Sequence, residues 1–230
     1  FADNSAEDSD DQMIKCGSYT GTGSTHEVAL GWEPQFLLVK SASSSASWRM
    51  LDTMRGFIAP PTGNDDSKIL FADSSSAEDE SGTLNVSSNG FIVSSDVGHT
   101  NVSGQTYIYM AIRAPMMVEP EAATDVFGIT TRNVANDNKA PEFRNTFPVD
   151  MALKKWDTSD PTQIVSRLTQ GKYLTTNSTN TEQALTSVKF DYSNGWSSNA
   201  TGANTTLHSW MWKRAKGYMD AVCYSGNATS

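Results

Sequence analysis

The residues able to do chemistry in this chain are numerous but dispersed. Asp52, Asp150, Asp157 and Asp191 are carboxylates of the kind that cleave glycosidic bonds when two of them face each other across a sugar. Nothing in their spacing singles out such a pair. His26, His99 and His208 are scattered, and Cys16 and Cys223 lie near opposite ends, so no close-spaced metal ligand set is formed. Asp125 with ANDN (135–138), and DDS (65–67), offer loop oxygens to calcium, but the full EF-hand spacing is missing. GTGS (21–24) is glycine-rich, yet it follows a strand with no helix behind it, which argues against a phosphate cradle. GxSxG, HExxH, Walker and GxGxxG motifs do not occur. The expectation is therefore no catalytic residue, no cofactor and no metal, and a protein that is not an enzyme. Trp32, Trp156 and Trp196 are different: they fall at strand ends or turns beside Asn, Asp and Ser. An exposed indole there would stack on a sugar ring, which makes these three the candidate glycan contacts.

The elements that would position these groups follow from composition. The chain has 230 residues with 17 Lys+Arg against 26 Asp+Glu, a net charge of −9, and a mean hydropathy of −0.44. Its length suits one large β domain or two smaller ones. No apolar run approaches the roughly 20 residues of a membrane span. The acidic balance argues against a phosphate-tracking surface, so neither nucleic acid nor membrane insertion is expected. Residues 1–12 are acidic and lack the apolar stretch of a signal peptide. The sequence leaves the redox state of the two cysteines open, with isolated thiols as the simpler reading.

Apolar stretches are short, β-branched or aromatic, and punctuated by Gly, Asn, Asp and Ser. Residues 34–40, 67–73, 90–95 and 106–114 read as strands, and Ser88-Asn89-Gly90 as a hairpin turn. In 106–114, Tyr107, Tyr109 and Ala111 share one parity while Ile108, Met110 and Ile112 share the other. Both faces carry bulk, as in a central strand. Residues 41–47 and 73–82 read as solvated loops. Short helical turns closed by glycine are expected at 51–56 and 164–171.

Landmarks recur in order. Pro34 and Lys40 match Pro148 and Lys154, each 114 apart, and Gly56 matches Gly171 at 115. SNGF (88–91) matches SNGW (193–196), which puts Trp196 in the place of Phe91, and YIYMAIRA (107–114) matches HSWMWKRA (208–215). YTGTGS (19–24) returns as YSGNAT (224–229). The expected architecture is all-β, with tandem β-sandwich units of the jelly-roll or lectin-like kind and very little helix. An acidic segment (1–12) leads into repeat 1 (13–115) and repeat 2 (116–216). Residues 217–230 then start a third unit or form a strand-exchanging tail.

A strand ending in YTGTGS, then EPQFLLVK, WRMLDTMRG, SNGF and SGQTYIYMAIRA is an order that resembles a repeated β-domain of tailed-bacteriophage virion proteins, including tail fibres and other surface appendages. The match runs through 13–115 and resumes over 141–230, whereas DVFGITTRNVANDN (125–138) lacks the Tyr-Thr-Gly opening. The resemblance implies a structural virion component, part of the particle surface or tail. It would touch other copies of itself, other virion proteins and a host surface glycan; a carbohydrate-binding module or capsid decoration protein is the alternative. It carries no catalytic or binding residues across.

The motif residues also have packing roles. Gly21, Gly56, Gly90 and Gly195 suit reversals needing positive φ, and Trp48, Trp210 and Trp212 suit a sandwich core. Lys40 and Lys154 end strands, and Asp52 with Arg55 suits a local ion pair. Asn-x-Ser/Thr sequons at Asn85, Asn101, Asn177, Asn199, Asn204 and Asn227 read as loop composition.

Overall fold

The computed structural model describes residues 13–60, 66–94, 99–114, 119–133, 140–198 and 206–223. Strands make up 45% of the chain and helix 3%, arranged as an all-β sandwich. Two compact units are resolved by their contacts, residues 1–116 with 222–230, and residues 117–221. The acidic segment 1–12, ANDN (135–138), Asp65, the sequons at Asn199, Asn204 and Asn227, and YSGNAT (224–229) lie outside the described residues.

The first unit contains β1 (Ile14–Thr20), β2 (His26–Ala29), β3 (Pro34–Ser41), β4 (Arg49–Asp52), β5 (Ser67–Phe71), β6 (Asp79–Ser81), β7 (Leu84–Ser87), β8 (Gly90–Val93) and β9 (Thr106–Arg113). The order β1-β9-β3-β4-β5-β6 makes a six-stranded antiparallel sheet, and β2-β8-β7 a smaller one. Ser87 pairs with Gly90, so Ser88-Asn89 is the two-residue turn between β7 and β8. Strand alternation sends Leu37, Val39, Leu51, Ile69, Tyr107 and Ala111 inward from the large sheet, and Phe91 and Val93 from the small one. Phe91 meets Tyr109 edge-on at 5.4 Å and Tyr19 at 5.9 Å, closing the core between the two layers.

The second unit contains β10 (Phe127–Asn133), β11 (Phe143–Arg144), β12 (Met151–Trp156), β13 (Gln163–Ser166), β14 (Lys172–Thr175), β15 (Gln183–Ala184), β16 (Gly195–Trp196) and β17 (Thr206–Trp212). Its large sheet has the order β10-β17-β12-β13-β14-β15, and β11 pairs with β16. The large sheet thus repeats the order of the first unit's, while the small one has two strands where the first unit has three. Phe143, Phe147, Val149, Val165, Phe190, Trp196 and Met211 form its core.

Several sequence expectations are corrected by register. The Arg113 amide bonds the Met13 carbonyl and the Lys213 amide the Val126 carbonyl, which places Arg113 with Lys213, one residue earlier than the motif match of 107–114 with 208–215. Consequently Lys155, not Lys154, stands where Lys40 stands. Lys40 Nζ donates to the carbonyls of Ser41 and Ser44, and Lys155 Nζ to those of Thr158 and Asp160, the same tie after the same strand. A slip of one residue exchanges the two faces. Trp210 and Trp212 are therefore half-buried on the outer face, while Ser209 and Met211 point inward at 0% exposure; Trp48 is half-buried too.

Residues 51–52 and 164–166 are strand, but the helical turn expected within 164–171 is present as a 3-10 turn at Arg167–Thr169 capped by Ser166, and Asp79–Ser81 pairs with β5 inside the stretch expected to be loop. Gly56 and Gly171 close their turns at φ 110 and 87, as their type demands. Gly21 and Gly90 have a different reason. A Cβ at Gly90 would collide with the Val28 carbonyl, and one at Gly21 with that of Val102, so close backbone approach selects them.

Candidate functional site

The two large sheets share an order but differ at one end of their inner faces. In the first unit this end is aromatic and aliphatic: Tyr19 on β1 stacks on Tyr107 at 5.0 Å, beside Val39 and Tyr109. In the second it is charged. Arg132 on β10 lies opposite Leu207 as Tyr19 lies opposite Tyr107, and Lys154 lies opposite Ser209 as Val39 lies opposite Tyr109. Arg132 Nη1 contacts Glu142 Oε1 at 2.7 Å, while Glu142 Oε2 accepts from the Ser198 amide at 3.0 Å and hydroxyl at 3.2 Å. Glu142 thus ties the loop before β11 and the segment after β16 to the edge strand β10.

Lys154 is 2% exposed, and its Nζ lies 4.4 Å from the centroid of the Trp156 ring. Burial pushes its ammonium down from 10.5 to about 8, and the Glu142 carboxylate opposes part of that fall. Two buried cations therefore face one carboxylate. Such a group costs stability unless its charges are met, so this cluster is sensitive to loss of any one of its charges. Arg132 lies in the segment whose sequence departs from the repeat pattern, and that departure is the one signal pointing to it. Glu142 follows Glu27 by 115, the spacing that structure assigns to this part of the chain.

The three tryptophans separate. Trp196 is 0% exposed, stacked between Phe143 at 4.8 Å and Phe190 at 5.6 Å, with its Nε1–H donated to Ser209 Oγ at 3.0 Å. Trp32 is 4% exposed, and its buried Nε1–H has no acceptor among the described residues. Neither indole presents a face for a sugar, which corrects that expectation for both. The cause is packing: Trp196 fills the Phe91 place in the core, and Trp32 the place that Phe147 fills in the other unit. Trp156 is half-buried, with Lys154 over its ring. It alone of the three retains accessible surface of the kind a glycan contact needs.

Each unit has a shallow cleft beside its small sheet, of about 350 Å³ in the first and about 420 Å³ in the second. Thr25, Glu27 and Ile92 line one, and Ala140, Glu142 and Ser197 take the corresponding places in the other. The first also has His26, whose buried Nε2 has no partner among the described residues, and the half-buried thiol of Cys223; the second has Lys189 and Tyr192. Both clefts are walled by a mixture of hydroxyl, ionisable and apolar groups. Cys16 is an exposed thiol on β1.

Several of the remaining candidates are engaged in structure. Asp52 takes the Arg55 guanidinium at 2.7 Å, the local pair expected from their spacing. Asp150 is held by Arg167 at 3.3 Å and Arg214 at 3.8 Å. Burial lowers the Arg167 pKa and Asp150 opposes the change. Asp125 accepts the Ala122 amide at 2.9 Å in a 3-10 turn at Ala123–Asp125. In GTGS (21–24), the Thr22 amide is taken by Asn101 Oδ1 and the Gly23 amide by the Asn101 carbonyl, so these donors face the protein. Asn101 and Asn85, at 0% and 1% exposure, are interior rather than loop-surface asparagines. Among the described residues no group of three or more His, Cys, Asp or Glu is placed to hold a metal ion, and no helix is long and apolar enough to cross a membrane.

Matched sheet orders, a core closed between layers and charged groups engaged in tying loops define an antiparallel β-sandwich protein. A domain family described as a domain of unknown function (DUF7483) matches residues 11–115, the stretch that holds β1 to β9. No curated protein and no solved structure matches the chain.

Proposed function

We propose that this chain is a structural component of a tailed-bacteriophage particle, a tail fibre or other surface appendage built from tandem β-sandwich units, which assembles with copies of itself and with other virion proteins. The observation that carries the reading is how the motif residues of the resemblance are used. Gly90, Gly56, Lys40, the Asp52–Arg55 pair and Phe91 are engaged in close approach, turns, strand ends and core. Residues engaged this way make a rigid holder of polar loops, and many weak contacts made by such holders sum through effective concentration. The like connection of the two large sheets supports the tandem arrangement. Mass spectrometry of purified particles, with labelled antibody imaging, tests the reading: the polypeptide is expected on the particle surface or tail, and its absence from the particle removes the idea.

A second reading, carbohydrate recognition on the host surface, is favoured by the two correspondingly placed clefts and by the accessible part of Trp156. A glycan array on the purified chain, repeated with Trp156→Ala, tests it. Hits that weaken in the variant support the reading, and an array without hits ends it.

A further inference from the structure

The outer faces of the two large sheets carry different side chains. With Lys213 in the place of Arg113, Trp212, Trp210 and His208 occupy the places of Ile112, Met110 and Ile108. Strand alternation turns all three outward, since their neighbours Leu207, Ser209 and Met211 are at 0% exposure. The first unit closes its fold with no aromatic ring at any of these places, so core packing does not account for the rings in the second. The Phe127 ring lies against Trp212 at 5.3 Å and the His208 ring against Trp210 at 6.3 Å. Three rings thus follow one another along β17 at a spacing of about 6.8 Å, over about 14 Å of strand. Both indoles are half-buried, and among the described residues neither Nε1–H is hydrogen-bonded or buried. Ile129, opposite Trp210, is 59% exposed, and Thr131 Oγ1 stands 3.0 Å from His208 Nδ1 at the end of the line.

We propose that this face binds an uncharged polysaccharide, with Trp210 and Trp212 as its stacking platforms. A flat ring with a donor at its edge suits a sugar, whose C–H face packs on the indole while a hydroxyl accepts the N–H. Charge narrows the class. Strand parity puts two lysines on this face: Lys155 Nζ donates to the carbonyls of Thr158 and Asp160, and Lys172 faces Glu182 at 3.8 Å. No cation is left over for a uronate or sulfate, and a chain of net charge −9 repels polyanions. Area argues against a protein as the occupant. Five strands about 4.8 Å apart and three rows about 6.8 Å apart make roughly 260 Å², a third of the ~800 Å² each partner buries in a standard protein interface. A polysaccharide needs only the ring faces and repeats its contact along the polymer, so weak contacts sum. The inference rests on the carbohydrate-recognition reading and gives it a site apart from the clefts and Trp156.

Affinity electrophoresis of the full chain in gels holding dextran, mannan, laminarin or the polyuronate alginate tests it. Retention is expected in at least one of the three neutral polymers and not in alginate. Trp210→Met with Trp212→Ile gives the second sheet the side chains of the first. This pair is expected to weaken binding about tenfold or more, with an unchanged circular dichroism spectrum. Should the pair not fold, the parent decides: its two outward indole N–H resonances are expected to shift when an oligosaccharide of the retaining polymer is added. Resonances that stay in place overturn the proposal. So does a chain retained by none of the neutral polymers, retention by alginate as strong as by them, or retention that survives the pair. Retention lost with Trp156→Ala and kept with the pair would leave carbohydrate recognition standing and remove this face from it.

Discussion

Lys154 stands in the second large sheet where Val39 stands in the first: each is the inward residue of its strand, opposite Ser209 in one unit and Tyr109 in the other. The place is the same and the side chain has changed from aliphatic to cationic. What accommodates it is local, a carboxylate at Glu142, the ring of Trp156 beneath the ammonium, and a small hydroxyl across the strand pair.

Lys154→Met should remove a pH dependence. With the native pKa near 8 and the unfolded value at 10.5, the unfolded chain holds the extra proton between those pH values, so stability from this group rises with pH across that window. Below pH 8 the full penalty applies, at most about 3 kcal/mol from the size of the shift. The variant is expected to be at least as stable as the parent at pH 7 and to lose the difference by pH 10. Urea unfolding of both chains across that range measures this; parallel curves would show that Lys154 carries no such penalty.

Glu142→Gln leaves Arg132 and Lys154 buried without their carboxylate. Removing one partner of a buried charge pair costs about 3–5 kcal/mol. The variant is expected to unfold at markedly lower denaturant. A nitrogen-detected NMR titration should find Lys154 releasing its proton at lower pH than in the parent, because the group opposing the effect of burial is gone.

Gly195→Ala is expected to be severe and Gly31→Ala mild. A Cβ at Gly195 would sit against the Phe143 carbonyl, at φ 149, within the β11–β16 pair. At Gly31, φ is 91 but open space surrounds the position, leaving only backbone strain of about 1–2 kcal/mol. Thermal melts of the two variants should differ by several degrees, with Gly195→Ala the lower.

The two interior indoles should respond oppositely to loss of nitrogen. Trp32→Phe removes a buried donor that has no acceptor among the described residues, so it should be neutral or stabilising by up to about 1 kcal/mol once packing readjusts. Trp196→Phe removes the bond to Ser209 and ring area from a three-ring stack, and should destabilise by about 1–3 kcal/mol. Chemical unfolding followed by fluorescence measures both; equal losses would mean the indole nitrogens do not matter.

Much of the fold was legible in single residues. Short β-branched runs bounded by Ser, Asn and Gly located β3, β5, β8 and β9, Ser88-Asn89-Gly90 located a turn, and the recurrence of such landmarks anticipated a second sheet of the same order. These signals are local, set by turn geometry and by side chains that fit a pleated surface. The tertiary structure alone decided which parity faces inward. Where bulky residues occupy both parities, as in β9 and β17, alternation has no preferred side, and moving the pairing by one residue exchanges core and surface. Hence Trp210 and Trp212 turned outward and Lys154 inward, while packing took Trp32 and Trp196 to the core instead of a binding face. The Arg132–Glu142 contact likewise arises only when β10 and the loop before β11 are folded against each other, since ten residues of sequence separation say nothing about which charges will share a desolvated site.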